Sequence, residues 1–278
     1  MTKNKFLLIK SQAGMGNRIL NLLGSILYSQ ITQRTIIVDW SDEVYSDDYS
    51  NVFPQLFTLK NIDQETEIPD TDSVFPYIWK TNLHKTIGAT LRENNLPNEG
   101  WFTRNPVTWS VSRVKFSCTN RQEDVLVNWS YFSDINQMRK SLIGEFKSFS
   151  YLDEKTIQKH ICKKHLFVDK EVVKRVDYFK NKYFNQKNIG VHIRCTDRRN
   201  PFDKYLEIID NIVRNDSEIC IFLATDNYHV QNHLKKIYGE RVVFQQKWFP
   251  KTDSTIDRLH FNPDCPDKLE NAFQALVL

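Results

Sequence analysis

Two short apolar runs, Ile189–Ile193 and Glu218–Ala224, flank a single amphipathic stretch, and this spacing constrains the fold more than any other feature. Each run reads as a buried strand. Between them, Asp203–Arg214 places Tyr205, Ile208, Ile209, Ile212 and Val213 at helical spacing, with Pro201 upstream as a helix-start signal. Tyr228–Tyr238 repeats the pattern with Val230, Leu234 and Ile237 on one face, and Gly239 suits the position past a helix end. Arg241–Gln245 reads as a third short strand. The order β-α-β-α-β, joined by right-handed crossovers, gives a parallel sheet.

The first of these strands breaks into Arg194, Thr196, Asp197, Arg198 and Arg199, a cationic tip with one carboxylate inside it. In an open α/β sheet, ligands bind outside the carboxyl ends of the strands. Guanidiniums crowded at such an end repel one another unless an anion joins them, and Arg is well shaped for phosphate. A solvated basic strand exit accounts for the same residues. The next strand ends in Ala224-Thr225-Asp226-Asn227, where Asp226 or Asn227 suits a helix cap. A carboxylate at that edge also suits a ribose hydroxyl or the N1 and N2 donors of guanine.

The amino-terminal part opens the same way. Phe6–Ile9 reads as a strand, Ser11–Asn17 as a loop, Arg18–Thr32 as a helix and Arg34–Val38 as a second strand. Two of the eight glycines, Gly14 and Gly16, sit in that loop, within Gly14-Met15-Gly16-Asn17-Arg18. Glycines there let backbone approach an anion at a helix start, although a tight turn alone explains them equally simply. The motif is neither a full GxGxxG nor a Walker loop. Residues 43–110 are irregular and look like insertions. Ser112–Cys118 and Asp124–Trp129 read as strands, and Ile135–Phe146 as a helix. The charged segment Asp153–Lys170 offers a domain boundary, and Glu171–Phe184, with Val172, Val173, Val176, Phe179 and Tyr183 on one stripe, opens the second domain.

At 278 residues the chain fits one large domain or two medium ones. The net charge of +4 is mild and no Lys/Arg run resembles a nucleic-acid arm, which argues against a nucleic-acid partner. No apolar run approaches the roughly 18 to 20 residues that a membrane span needs. The amino terminus lacks the apolar core of a signal peptide. Five cysteines without CxxC spacing point to a reduced, cytoplasmic protein. Asp70-Thr71-Asp72 matches the DxD pattern of metal-dependent glycosyltransferases, but its acidic setting reads as a solvated loop. The histidines show no HxxxH or HxH spacing, so no metal site is expected.

Three islands, taken together, resemble the metal-independent fucosyltransferase superfamily, which contains core α1,6-fucosyltransferases, the NodZ enzymes and protein O-fucosyltransferases. They are Gly14-Met15-Gly16-Asn17-Arg18, followed by Thr32–Val38; Val191-His192-Ile193-Arg194-Cys195-Thr196-Asp197-Arg198; and Phe222-Leu223-Ala224-Thr225-Asp226. Arg258-Leu259-His260 and Glu270-Asn271-Ala272 are weaker matches. The resemblance implies an α/β, GT-B-like fold of two facing Rossmann-like domains. Residues 1–168 would form an acceptor-side domain with irregular insertions, and residues 169–278 a nucleotide-sugar-binding domain. It also implies transfer of L-fucose from GDP-fucose to a glycan hydroxyl with inversion, GDP-fucose and an oligosaccharide being the partners and no metal being required.

On the same resemblance, Arg194 contacts the donor diphosphate, and His192 and Asp226 belong to the nucleotide site. Gly14, Gly16, Asn17, Arg18, Arg198, Thr225 and His260 complete the expected substrate-binding set. Asp197 and Asp203 are the candidate bases. Three departures stand out: Cys195 replaces the second Arg of the family block, the segment after Arg198 looks shorter than in the α1,6 enzymes, so their acidic base has no secure counterpart, and the chain stops at Leu278 before the family's serine-bearing last motif. Either the carboxyl-terminal domain is truncated, or the nucleotide site is finished differently. Another nucleotide sugar, or a non-catalytic nucleotide-sugar or glycan-binding role, is the alternative. Peripheral membrane association is compatible with all of these.

Overall fold

The computed structural model describes residues 5–97, 105–195, 201–216, 218–250, 262 and 264–277. The chain divides into two compact units, Met1–Asp169 and Lys170–Leu278.

The first unit is built on a five-stranded sheet. Its strands are β1 (Phe6–Lys10), β2 (Thr35–Asp39), β4 (Gln64–Glu65), β5 (Val74–Phe75) and β6 (Val125–Asn128); β3 (Phe57–Leu59) lies outside it. The sheet order is β4-β2-β1-β6-β5, and every pairing is parallel. Leu7, Leu8 and Ile9 are fully buried, as the central strand of a parallel sheet covered on both faces requires. β2 lies on one side of β1 and β6 on the other, so the chain leaves β1 at a topological switch point, where such sheets open a crevice. The helix Met15–Thr32 follows β1 and buries Leu22, Leu23, Ile26, Leu27 and Tyr28. Gly24 of this helix is a packing requirement. A Cβ there would lie 1.7 Å from the Ser133 carbonyl oxygen, so only glycine lets the segment after β6 settle on the helix.

Two sequence expectations change in this unit. Ser112–Cys118 is not a strand. Ser112 ends a helix, Pro106–Ser112, and Val114 and Phe116 are buried from irregular backbone, the Val114 N–H going to the Val127 carbonyl and the Phe116 N–H to the Gln137 side chain. Ile135–Phe146 is not one α-helix but two 3₁₀ segments, Ile135–Ser141 and Gly144–Tyr151, separated at Gly144 with φ +57°. Asp153–Lys170, read as offering a boundary, is ordered, and the two units divide at its end, between Asp169 and Lys170. Asp153 caps the helix Glu154–His165 by accepting the Thr156 N–H, and Ile157, Ile161 and His165 recur at i, i+4, i+8 on its buried face. β7 (Leu166–Val168) then pairs antiparallel with β3.

The second unit has a three-stranded parallel sheet, β10-β9-β8, made of β8 (Asn188–Ile193), β9 (Cys220–Thr225) and β10 (Val242–Val243). The helices Lys170–Tyr183, Phe202–Asn215 and Tyr228–Tyr238 accompany it, and Lys268–Val277 packs against the first of them. Ile193, Ile209, Ile221, Leu223, Leu234 and Val242 form its core. β8 is less buried than its composition suggests. Only Ile193 is enclosed, Ile189 and Val191 are half-buried, and His192 is exposed, because β8 is a sheet edge with one open face. Ile208, Ile237 and Val173, expected inward, are also substantially exposed at 60%, 47% and 44%.

Candidate functional site

Each unit gathers polar side chains at the carboxyl edge of its sheet. In the first unit, Lys10 ends β1 and Asp39 ends β2, and they meet in a buried ion pair at 2.5 Å. Burial pulls the Lys10 ammonium down, while Asp39 opposes that shift. The other Asp39 oxygen accepts the Ser41 backbone N–H at 3.0 Å. Asn128 at the end of β6 donates to Asn21 (2.7 Å) and Ser25 (3.0 Å), and Asn21 donates to the Lys10 carbonyl and the Ser11 hydroxyl. Gln12 donates to the Tyr131 hydroxyl at 2.6 Å. The sequence reading missed these groups. One signal was present: Lys10 closes an apolar run at the same place that Arg194 follows β8.

The glycine loop lies directly above this network. Ala13 has φ +70° and Gly14 is the residue before the first helical turn, with no side chain of its own to cap that turn. The first turn carries no acidic residue. Gly16 is exposed, and a Cβ on it would meet nothing within 4 Å. The helix start therefore presents its positive end of the macrodipole with no acidic side chain on it, the Met15 N–H being taken by the Tyr45 hydroxyl. Asn17 is half-buried beside it.

Arg18, expected in the substrate-binding set, is enclosed in the first unit. Its side chain is 0% exposed, pairs with Asp42, donates from Nε to the Ala13 carbonyl at 2.9 Å, and lies 4.7 Å from the Tyr45 ring centre. Tyr45 in turn accepts the Met15 N–H at 3.0 Å. Arg18 thus braces the loop from beneath instead of reaching solvent. Its buried partner comes 24 residues later in the chain, which no local spacing announces.

In the second unit the strand ends are tied together. The Asp226 carboxylate accepts the Cys195 backbone N–H at 2.6 Å, joining the exit of β8 to the exit of β9. Asn227, not Asp226, caps the following helix, accepting the Val230 N–H at 3.0 Å. Thr225 is buried and its hydroxyl accepts the Asn227 N–H at 3.3 Å. Arg194 is half-buried at the same edge, and His192 points from the exposed face of β8. Asp203 lies in the first turn of the helix Phe202–Asn215 and is exposed. Asp197, Arg198 and His260 lie outside the described residues.

One further group at this edge was not anticipated. Lys247 follows β10 and donates to the Thr225 carbonyl. Burial draws its ammonium down to about 8, against the opposing field of Asp226. Cys195 is half-buried and its thiol is pushed up by burial and by Asp226. Two cavities of about 460 and 450 Å³ open elsewhere on this unit, one beside Arg175 and Tyr178, the other between Phe202 and His233. Asp72 is a solvated loop residue, 78% exposed and 3.5 Å from Lys80. Among the described residues, no group of three His, Cys, Asp or Glu side chains is arranged to hold a metal ion. No helix there is long and apolar enough to cross a membrane.

Two parallel α/β units with polar strand-edge clusters place the chain in the GT-B-like α/β class, and solved structures agree. A NodZ α1,6-fucosyltransferase soaked with GDP-fucose superposes with a TM-score of 0.61 at 18% identity, over 99% of this chain and 84% of that one. Fucosyltransferase NodZ from Bradyrhizobium gives 0.60 at 16% identity with the same coverage. A variant of Arabidopsis thaliana FUT1 in complex with GDP gives 0.50 at 14%, over 88% of this chain and 59% of that one. A search of curated protein sequences found no match. Residues 3–255 match the family described as Nodulation protein Z (NodZ), and the chain belongs to that family.

Proposed function

We propose that this chain is an inverting glycosyltransferase that transfers L-fucose from GDP-fucose to a glycan hydroxyl without a metal ion. The observation that carries the reading is the NodZ family match over residues 3–255, which includes Gly14–Asn17, Arg194 and Asp226. NodZ structures carry GDP-fucose and GDP. Residues 169–278 take the donor and residues 1–168 the acceptor side.

In this reading His192, Thr225, Asp226, Arg198 and His260 serve the nucleotide, and Gly14, Gly16 and Asn17 serve the substrate from the first unit. The acceptor oxygen attacks the anomeric carbon as its bond to the β-phosphate oxygen breaks, and that electron pair remains on GDP. The Arg194 guanidinium stabilises the developing charge more in the transition state than in the ground state. Asp197 or Asp203 takes the acceptor proton. A cytoplasmic setting rests on the odd cysteine count.

A thermal-shift screen with GDP, UDP and ADP, followed by an assay of donor hydrolysis and transfer, tests this. GDP should raise the melting temperature most. Selective stabilisation by UDP or ADP would assign another donor. Binding of GDP-fucose without turnover on any glycan would instead make the chain a non-catalytic sugar-nucleotide binder.

A further inference from the structure

Lys247 is out of place for a residue that only fills space. Its amine donates to the Thr225 carbonyl, and among the described residues it forms no ion pair. A partly enclosed ammonium is costly, the field of Asp226 offsets only part of that cost, and the cost falls further when an anion arrives. Among the described residues the charge that acts on it is that of Asp226, on the turn after β9, and Arg194 leaves the neighbouring strand directly after Ile193. Asp226 is engaged by the Cys195 N–H. Phe249 lies 5.0 Å from the Lys247 amine and packs edge-on against Tyr228, which shields the stem from water.

The register fixes where this cation sits. Thr225, whose carbonyl receives the amine, is paired with Ile193, the residue before Arg194. Lys247 therefore stands at the carboxyl edge of the sheet, at the end of β9, one strand away from the exit that carries Arg194 and Cys195. A position beside the β8 exit that carries a thiol at Cys195 gives no charge there, and Lys247 brings one from the far side of β9.

We infer that Lys247 is a second cation of the donor site, binding the diphosphate of the nucleotide sugar alongside Arg194. It holds the charge that accumulates on the β-phosphate oxygen as the sugar–oxygen bond breaks, and it exchanges no proton in the step. This rests on the donor reading above.

Calorimetry with GDP and with guanosine, on the wild type, Lys247→Met and Lys247→Arg, tests it, with melting curves as control. Lys247→Met should weaken GDP about ten- to a hundredfold, the range of one charged hydrogen bond, and leave guanosine unchanged. Lys247→Arg should recover most of the loss. Wild-type GDP affinity should also fall as pH rises through about 8, while guanosine, with the same base titration, should not follow it. Equal losses for GDP and guanosine would reduce Lys247 to a staple on the end of β9, and an unchanged GDP affinity would remove it from the site. If Lys247→Met does not fold, a pH-independent ratio of GDP to guanosine affinity in the wild type overturns the inference by itself. If the wild type prefers UDP or ADP, the donor reading fails, and the same comparison with that diphosphate and its nucleoside still decides the role of Lys247. If it binds no nucleoside diphosphate, both fall together.

Discussion

The Asp226 carboxylate accepts the Cys195 backbone N–H at 2.6 Å, so the exits of β8 and β9 are locked at the point where Arg194 emerges. One carboxylate oxygen is structural in this arrangement, and the negative charge acts on Lys247 as well. Asn227 does the capping, so Asp226 can be altered without losing the helix start.

Asp226→Asn should keep an oxygen for the Cys195 N–H while removing the charge and the second acceptor. GDP affinity should fall about ten- to a hundredfold, with the melting temperature little changed. Asp226→Ala should in addition lose about 1 to 3 kcal/mol of stability, because the Cys195 N–H loses its partner. Calorimetry and urea melts on both variants separate the two effects. Equal GDP affinity in wild type and Asp226→Asn would confine Asp226 to joining the strands.

Arg194→Ala should lower turnover at saturating GDP-fucose by about a hundredfold or more, the size of one lost contact to developing charge. Arg194→Lys should recover little, because a point charge lacks the bidentate fork. Near-wild-type turnover in Arg194→Ala would remove the assigned role.

The legible parts of the sequence were those whose signal is local. β1, β9 and the helix Tyr228–Tyr238 follow from apolar runs and periodicity, and the Tyr228–Tyr238 bounds match the structure. Ser112–Cys118 failed because Val114 and Phe116 alternate as in a strand but enter the core from coil. Ile135–Phe146 failed because Asp134 (φ +53°) and Gly144 (φ +57°) bend the backbone where periodicity alone continues a helix. Site residues divide the same way. Asp226 and Arg194 stand at strand ends readable from sequence, whereas Lys10, Arg18 and Lys247 take their roles from distant partners: Asp39, Asp42 and the Thr225 carbonyl. Burial of a charge is a tertiary fact, and spacing does not carry it.

Removing Asp42 tests the brace beneath the glycine loop. Asp42→Ala leaves the Arg18 guanidinium enclosed without its counter-charge, a change that typically costs about 3 to 5 kcal/mol. Urea unfolding should show that loss, and Arg18→Met/Asp42→Leu together should recover part of it, since apolar replacement of a buried pair is often tolerated. A loss below about 0.5 kcal/mol in Asp42→Ala would place the pair among exposed ones.

Donor hydrolysis and transfer should survive EDTA, because cationic side chains at the diphosphate can replace the Lewis acid. The measurement is turnover after exhaustive chelation and again after adding Mn²⁺ or Mg²⁺. Loss on chelation with recovery on Mn²⁺ would return Asp70 and Asp72 as ligand candidates.

Stability without nucleotide should report the Lys247 environment directly. Its folded pKa is drawn down to about 8 from 10.5, so burial favours the neutral amine in the native state. Below about pH 8 the group is protonated in both folded and unfolded chains, and the full penalty is present. Between about pH 8 and 10.5 the unfolded chain binds the extra proton, so native stability rises with pH by up to about 1.4 kcal/mol per unit. Other groups titrate in that window, so the quantity to follow is the wild-type stability minus that of Lys247→Met, from urea melts at each pH. That difference should grow from pH 8 to 10 in the free protein. Saturating GDP should flatten it near pH 8, because an anion beside the amine restores the charged form. A difference that stays constant with pH in the free protein would mean that the Lys247 ammonium is solvated, and its burial would then give no reason to expect an anion beside it.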